Sequence, residues 1–553
     1  MNHRAFFRRL TAAGAAAVLL APITTAVAET NGSVPKIAWG SCGTDPKLKA
    51  FQCATVEVPT DYDKPNGATT TIALTRLPAA DPAQRIGTLF NNPGGPGGSG
   101  VDFVHQLGAS AYSAEVRARF DILGFDPRGV AGSDPVTCFP TAAEEAAAMS
   151  KLPAFPLGRA QERQFTATMA TVAASCERTS PDRLAHFSTA NVARDMDLLR
   201  QAVGDEKLTY VGYSYGTYLG ATYAKLFPRK VRALVLDGTW FPSEYSGTPG
   251  DPRPVGVRLG QGPAAAKTFE QFKTECKLAG ASRCALAGLG DPDTVAEGLL
   301  ERLKKKPVVL PGPNGPFEVT YDAMVRSTFT SLYQPDLWTD LAAAFAEVAQ
   351  AAKATGTAQK AQTARTKAAK LSARSTALLQ PDQRQEDYPS FGSLLQNCVE
   401  AYTPMQPGAY PAWAAAVDKV APHFGRMRTW QSVQCETMPT RDRDAFRGPW
   451  TKLKVSEPVL VIGTRYDPAT PYADTRPYAE LYRDARMVTV EGFGHTTLGK
   501  STCADQLITE YLTSLKAPAD GSTCTQDRKP FTPAPTKAKL VQGSGGMFRG
   551  PGL

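Results

Sequence analysis

Leu208-Thr-Tyr-Val-Gly212-Tyr-Ser-Tyr-Gly216 decides the fold of this 553-residue chain. Leu208 to Gly212 is a short, nearly continuous apolar run, the pattern of a strand buried on both faces of a mostly parallel sheet. Tyr215 to Phe227 reads as the helix that follows. Between them, Ser214 stands on a turn with a glycine two residues away on either side, where a Cβ would clash. A sharp strand-to-helix turn of this kind lifts a serine Oγ clear of the sheet edge, where it can act as a nucleophile.

The same rhythm extends outward from that stretch. Short apolar runs at Gly87 to Asn91, Phe120 to Phe125, Val231 to Leu236, Pro458 to Gly463 and Arg486 to Val490 alternate with helical segments, notably Asn191 to Val203. Before them, residues 53 to 58 and 69 to 76 flank Asp-Lys-Pro-Asn-Gly as strand, turn and strand. From Thr239 to Pro449 the strand rhythm disappears. Helical patterns take its place at Phe269 to Leu278, Thr294 to Lys304, Asp336 to Ala351 and Leu394 to Tyr402. The expected organisation is one α/β domain, with segments 29–238 and 450–524, interrupted by a helical insertion at 239–449.

A serine near neutral pH needs a base. Beyond the first 28 residues the histidines are His105, His186, His423 and His495. Only His495, in Glu491-Gly-Phe-Gly-His495-Thr, follows a late strand whose end can place an imidazole over the sheet edge. Asp467, in Gly463-Thr-Arg-Tyr-Asp467-Pro-Ala-Thr-Pro471, follows the preceding strand and is the expected orienting acid. Asp237 is its rival and Asp474 a weaker one. Asp467 sets the chain order Ser, Asp, His. The loop Asn92-Pro-Gly-Gly-Pro-Gly-Gly-Ser-Gly100 lacks side chains where backbone must approach a ligand, and it has neither a Walker lysine nor G-x-G-x-x-G spacing. It is read as an oxyanion loop, with the Tyr215 amide as the second donor. Asp126-Pro-Arg128-Gly-Val-Ala-Gly-Ser133 is read as an ion-paired structural turn bordering the site. Scattered histidines and the absence of H-E-x-x-H argue against a metal hydrolase, and no cofactor is expected.

Charge and cysteines bound the setting. The formal charge is +9, from 61 Lys and Arg against 52 Asp and Glu. The first 28 residues hold Arg4, Arg8 and Arg9 without an acid, and residues 525–553 add a net +4, so residues 29–524 carry only +2. A body this near neutrality argues against nucleic acid as a partner. A basic start, an Ala/Leu-rich stretch and Ala26-Val-Ala28 read as a signal peptide cleaved after Ala28. The Arg8-Arg9 pair permits twin-arginine export, while the weakly apolar Leu-Thr-Ala after it favours the general route. No later run is long enough to span a bilayer, so a secreted protein without a membrane partner is expected. In that oxidising setting the ten cysteines read as disulfides. Neighbour pairing is the simplest scheme: Cys42-Cys53, Cys138-Cys176, Cys276-Cys284, Cys398-Cys435 and Cys503-Cys524. Residues 348–381, basic without an acid, are read as a solvated helix, and residues 525–553 as a disordered tail.

Asn92 to Gly100, Asp126 to Ser133, Gly212-Tyr-Ser-Tyr-Gly-Thr217, Gly463 to Pro471 and Gly494-His495 together resemble the secreted tripeptidyl aminopeptidases of the proline iminopeptidase family of serine peptidases. The resemblance runs over roughly residues 40–515. It implies an α/β-hydrolase fold, a mostly parallel sheet with 239–449 as a large helical cap, with Ser214, Asp467 and His495 as the catalytic triad and Gly95 as an oxyanion donor. It also implies a cap carboxylate that holds the free α-amino group of a peptide or small-protein substrate. Asn397-Cys398-Val399-Glu400 is similar to the family's Cys-x-Asp element, with Glu400 in place of Asp. The expected activity is release of short peptides, tripeptides above all, from free amino termini through a serine acyl-enzyme. The alternative is a carboxylesterase or lipase-like hydrolase with the same triad, because the fold does not select the acyl group.

Overall fold

The computed structural model of the chain describes residues 33–150, 152–310, 315–353 and 395–532. The signal-peptide segment 1–28, residues 354–381 of the basic stretch and residues 533–553 lie outside the described residues.

Ten strands form one sheet: β1 (Gly40–Ser41), β2 (Gln52–Pro59), β3 (Thr69–Leu77), β4 (Gly87–Asn92), β5 (Phe120–Phe125), β6 (Leu208–Tyr213), β7 (Val231–Asp237), β10 (Val459–Tyr466), β11 (Ala485–Phe493) and β12 (Ser522–Thr525). The spatial order is β1-β2-β3-β5-β4-β6-β7-β10-β11-β12. Pairings up to β3–β5 are antiparallel and the rest are parallel. Every residue of β4, β5 and β6 is buried, which is why these strands read as unbroken apolar runs rather than alternating ones. One face of the sheet packs Phe103, Val104, Val211, Val235, Ile462 and Leu512. The other packs Phe90, Leu199, Tyr210, Leu219, Leu234 and Val461.

Register brings the carboxyl ends of the central strands level. Asn92 faces Gly212, Tyr213 faces Asp237, and Asp237 faces Ile462. The loops after β4, β6, β7, β10 and β11 therefore open on one edge. In parallel α/β sheets that edge is where sites form.

Residues between β7 and β10 are mainly helical, with Gln261–Ala279, Pro292–Lys305, Tyr321–Leu332 and Trp338–Lys353 the longest described helices. The region is not free of strands: Val308–Leu310 (β8) and Phe317–Val319 (β9) form an antiparallel hairpin. At three residues each they are too short to carry a period. The hydrophobic cluster of this layer also takes in Phe155, Phe165, Met169 and Phe187, from the chain between β5 and β6. The core of this helical layer thus comes from two places in the chain.

Disulfides join Cys42 to Cys53, Cys138 to Cys176, Cys276 to Cys284, Cys398 to Cys435 and Cys503 to Cys524. Closing such loops destabilises the unfolded chain by roughly 2.5 to 4 kcal/mol per bridge in the chain-entropy model. Residues 525–532, expected as the start of a disordered tail, are instead packed on the fold. Thr525 pairs with Glu491 in the sheet, the Asp527 carboxylate accepts from Thr502 N and Oγ1, and Phe531 is buried against Phe272 and Trp338. A strand pairing, the Asp527 carboxylate and the Phe531 ring thus anchor eight residues whose composition reads as disorder.

Candidate active site

Ser214 follows β6 directly and caps the helix Tyr215–Leu226, with φ 56° and ψ −125°. A positive φ at a non-glycine residue is strained and persists only where its surroundings over-determine it. Here its N–H donates to the carbonyl of Asp237, 3.0 Å away. A Cβ at Gly212 would lie 2.4 Å from the Gly216 carbonyl, and one at Gly216 would lie 2.8 Å from the Asn92 carbonyl. Both flanking glycines are thus demanded by packing.

The Gly-rich loop closes over the serine. A Cβ on Gly94 would meet Tyr213 O at 2.4 Å, Ser214 Cβ at 2.8 Å and Tyr215 N at 3.1 Å. Gly94, Gly95 and Gly97 have φ of +96°, +113° and +95°, a region that side chains resist. Tyr215 N belongs to the first turn of its helix, whose amides lack intrahelical acceptors. The Gly95 loop and the Tyr215 amide therefore meet beside Ser214. Asp126 pins the far end of the loop, accepting from Ser99 Oγ at 2.6 Å, Val101 N at 3.1 Å and Gly132 N at 3.0 Å. Nearby, Arg128 is ion-paired with buried Asp195 at 2.6 Å.

Asp467 and His495 meet although 28 residues apart. His495 Nδ1 lies 2.9 Å from Oδ2 and 3.0 Å from Oδ1. The carboxylate also accepts from Ala469 N (2.8 Å) and Thr470 N (2.9 Å) at Oδ1, and from Thr470 Oγ1 (2.7 Å) and Thr496 N (3.1 Å) at Oδ2. Burial alone would raise its pKa, but the charge and hydrogen bond of His495, with those of Thr470, hold it below the ordinary value. The rival Asp237 accepts instead from Thr497 N (2.8 Å) and Oγ1 (2.7 Å), and burial raises it to about 6. It braces the loop just past the histidine. The other histidines go elsewhere: His105 to Thr75 (2.9 Å), His186 towards Asp444 (4.0 Å), and His423 to Glu297 and Tyr321 (both 2.8 Å).

Three residues around His495 carried no signal in the sequence. The Tyr333 carbonyl accepts from His495 N at 2.9 Å, and its ring meets the imidazole edge at 4.8 Å. Lys500 Nζ donates to the carbonyls of His495 (2.5 Å), Thr496 (3.0 Å) and Tyr333 (3.3 Å), and burial pushes its pKa down to about 8. Gln261 Nε2 donates to the Ala469 carbonyl at 2.8 Å. Tyr333 and Gln261 lie in the cap, so the histidine and acid loops are held partly by that layer. Gly494 permits this contact: a Cβ there would lie 2.6 Å from Tyr333 O.

Glu400 sits in the short helix Gln396–Glu400, tied by the Cys398 bridge. Its Oε1 accepts from Thr189 Oγ1 (2.8 Å) and Tyr245 OH (2.7 Å), and its Oε2 from Thr189 N (2.7 Å). Thr189 Oγ1 also meets Tyr215 OH at 2.6 Å. Glu400 is thus two hydrogen bonds from the residue after Ser214. Burial, only partly offset by those donors, pushes its pKa up to about 7.

Residues 87–258 match the family described as alpha/beta hydrolase fold, and residues 421–524 match that described as TAP-like protein. A tripeptidyl aminopeptidase of Streptomyces lividans is 30% identical over 520 residues, covering 91% of this chain and 89% of the relative. The chain belongs to the α/β hydrolases, in their TAP-like group. Among other relatives of this TAP-like hydrolase, serine protease Hip1 of Mycobacterium tuberculosis is 29% identical over 514 residues, covering 88% of this chain and 91% of the relative. Carboxylesterase B of the same species is 30% identical over 505 residues, covering 89% and 90%. The chain is a serine hydrolase. No helix among the described residues is long and apolar enough to cross a membrane.

Proposed function

We propose that this hydrolase is a secreted exopeptidase that releases short peptides, tripeptides above all, from free amino termini, with Ser214 as nucleophile, His495 as base and Asp467 as orienting acid. The observation that carries the reading is the Asp467–His495 pair, 2.9 Å apart, at the strand edge that also carries the strained Ser214. Donation from Nδ1–H to Asp467 makes Nε2 the basic nitrogen. His495 takes the Ser214 proton as Oγ attacks the scissile carbonyl, then returns it to the departing amine. Water repeats the sequence on the acyl-enzyme and frees the peptide. The Gly95 and Tyr215 amides receive the developing oxyanion, one such donor being worth about 3 to 4 kcal/mol in the transition state. Glu400 is assigned to the substrate α-ammonium, because a buried cation needs an anionic partner and this carboxylate lies beside Tyr215. Five disulfides and the leader-like residues 1–28 support action outside the cell.

The test compares free-amino and N-acetylated tripeptide anilides with a short-chain nitrophenyl ester. Preference for the free amine is expected. Equal cleavage of the acetylated peptide, or turnover of the ester alone, rejects the exopeptidase reading and favours the esterase one, to which the carboxylesterase B likeness lends its support. Ser214→Ala should abolish turnover of every substrate while the protein still folds, and full residual turnover would remove both readings.

A further inference from the structure

Arg428, in the helix Phe424–Trp430, is a half-buried cation with no anionic partner among the described residues. A guanidinium offers five N–H donors. Among the described residues Arg428 uses one, from Nη2 to Gln261 Oε1, and its buried Nε–H has no acceptor. Its guanidinium lies over the Phe329 ring, 5.0 Å from the centroid. Burial pushes its pKa down to about 10, and among the described residues the Tyr333 phenol opposes that shift and no carboxylate does. The buried cations of the described residues are compensated. Arg128 has Asp195 and Arg200 has Asp197; Lys273 Nζ has Glu270, Asp293 and Glu297, all within 2.8 Å. Arg258 bonds the backbone carbonyls of Glu244, Tyr245 and Arg253.

Two chains of contacts connect Arg428 to the candidate active site. Through Gln261 it reaches the Ala469 carbonyl at 2.8 Å, and Ala469 N donates to Asp467 at 2.8 Å. Through Phe329 it reaches Tyr333, with ring centroids 5.3 Å apart, and Tyr333 meets His495 at 4.8 Å. The Nε–H is buried without an acceptor, and a planar fork with open donors matches a carboxylate in two-point fashion.

We propose that Arg428 recognises a carboxylate on the bound substrate, so that this hydrolase prefers substrates carrying a carboxylate near the scissile acyl group. The inference rests on the triad reading above and specifies which substrates that triad receives. The carboxylate has two sources in a peptide: an acidic side chain, or the free carboxyl terminus of a short chain.

The test measures kcat/KM for matched pairs, acid over neutral, in wild type and Arg428→Met. One arm uses free-amino tripeptide anilides with Glu or Gln at each position. A second uses short peptides as free acids or carboxamides. A third uses nitrophenyl hemisuccinate against nitrophenyl butyrate. Wild type should favour the acid member at least tenfold in one arm, and that arm names the source. In Arg428→Met the ratio should fall to near one, whereas a purely structural role would lower both members alike and leave the ratio standing. An unchanged ratio in the variant overturns the proposal. So does a wild-type ratio near one in every pair, a result that needs no variant to fold. Arg428→Lys, which keeps the charge without the fork, should retain only part of the preference. If peptides are refused and esters cleaved, the exopeptidase reading fails while the hemisuccinate pair still judges Arg428.

Discussion

Replacing Asp467 with Asn removes one charge and changes no volume, yet the hydrogen bonds around it predict a large effect. Both carboxylate oxygens are surrounded by donors: Ala469 N and Thr470 N at Oδ1, and His495 Nδ1, Thr470 Oγ1 and Thr496 N at Oδ2. An amide has one acceptor oxygen. If it stays with the two backbone N–H groups at Oδ1, its NH2 faces Thr496 N–H and His495. The imidazole must then accept at Nδ1 and carry its proton on Nε2, the tautomer that cannot take the Ser214 proton. For a triad of this geometry that change lowers kcat by about 10⁴-fold, roughly 5.5 kcal/mol. The orphaned Thr496 N–H should cost about 1 to 3 kcal/mol of stability. The checks are initial rates on the best anilide and on a nitrophenyl ester, with urea unfolding in parallel. Asp467→Asn within tenfold of wild type on both substrates would refute the assignment of the acid, and Asp237→Asn would then be the next variant to test.

The remaining predictions use other parts of the same edge. Gly94→Ala places a methyl 2.4 Å from Tyr213 O at φ +96°, so kcat/KM should fall at least 10²-fold, the effect of one lost oxyanion donor. The control Gly298→Ala, whose Cβ meets nothing within 4 Å in its helix, should instead stabilise by about 0.5 to 1 kcal/mol in urea titrations. Lys500→Met removes the clamp on the carbonyls of Tyr333, His495 and Thr496 and should cut kcat about 10- to 100-fold through misplaced imidazole, with KM little changed; an unaltered kcat contradicts it. Glu400 titrates near 7 in the fold against an ordinary 4.5. The native state therefore holds the extra proton between those values, and stability falls as pH rises through that window, by about 3 kcal/mol. Glu400→Gln can keep all three contacts, because both hydroxyls can accept from its amide. The variant should gain on wild type by about that amount between pH 4.5 and 8 in urea unfolding, and should raise KM for free-amino substrates more than for acetylated ones.

Much of the site is legible in the sequence. The elbow around Ser214 announces itself because its requirements are local: a doubly buried strand, two glycines that leave room for crossing backbone, and a helix. The Gly-rich loop and the late histidine are legible for the same reason. Tyr333, Lys500 and Gln261 are not, since an ordinary helix-end tyrosine, an exposed-type lysine and a glutamine acquire meaning only from the carbonyls they meet. The β8–β9 hairpin is too short for a period, and Phe531 looks like part of a tail until its burial against Trp338 is seen.

By itself the sequence determined the strand and helix alternation and the sharp turn at Ser214, and it offered Asp467 and Asp237 as acids for His495, because backbone sterics and side-chain period act over a few residues. Only the tertiary structure decided that Asp467 rather than Asp237 touches His495, that Tyr333 and Gln261 hold the acid and base loops, and that Arg428, linked to them through Gln261 and Phe329, has no counter-ion among the described residues. Those outcomes depend on strand register and on the docking of the cap, which bring together groups that no local spacing relates.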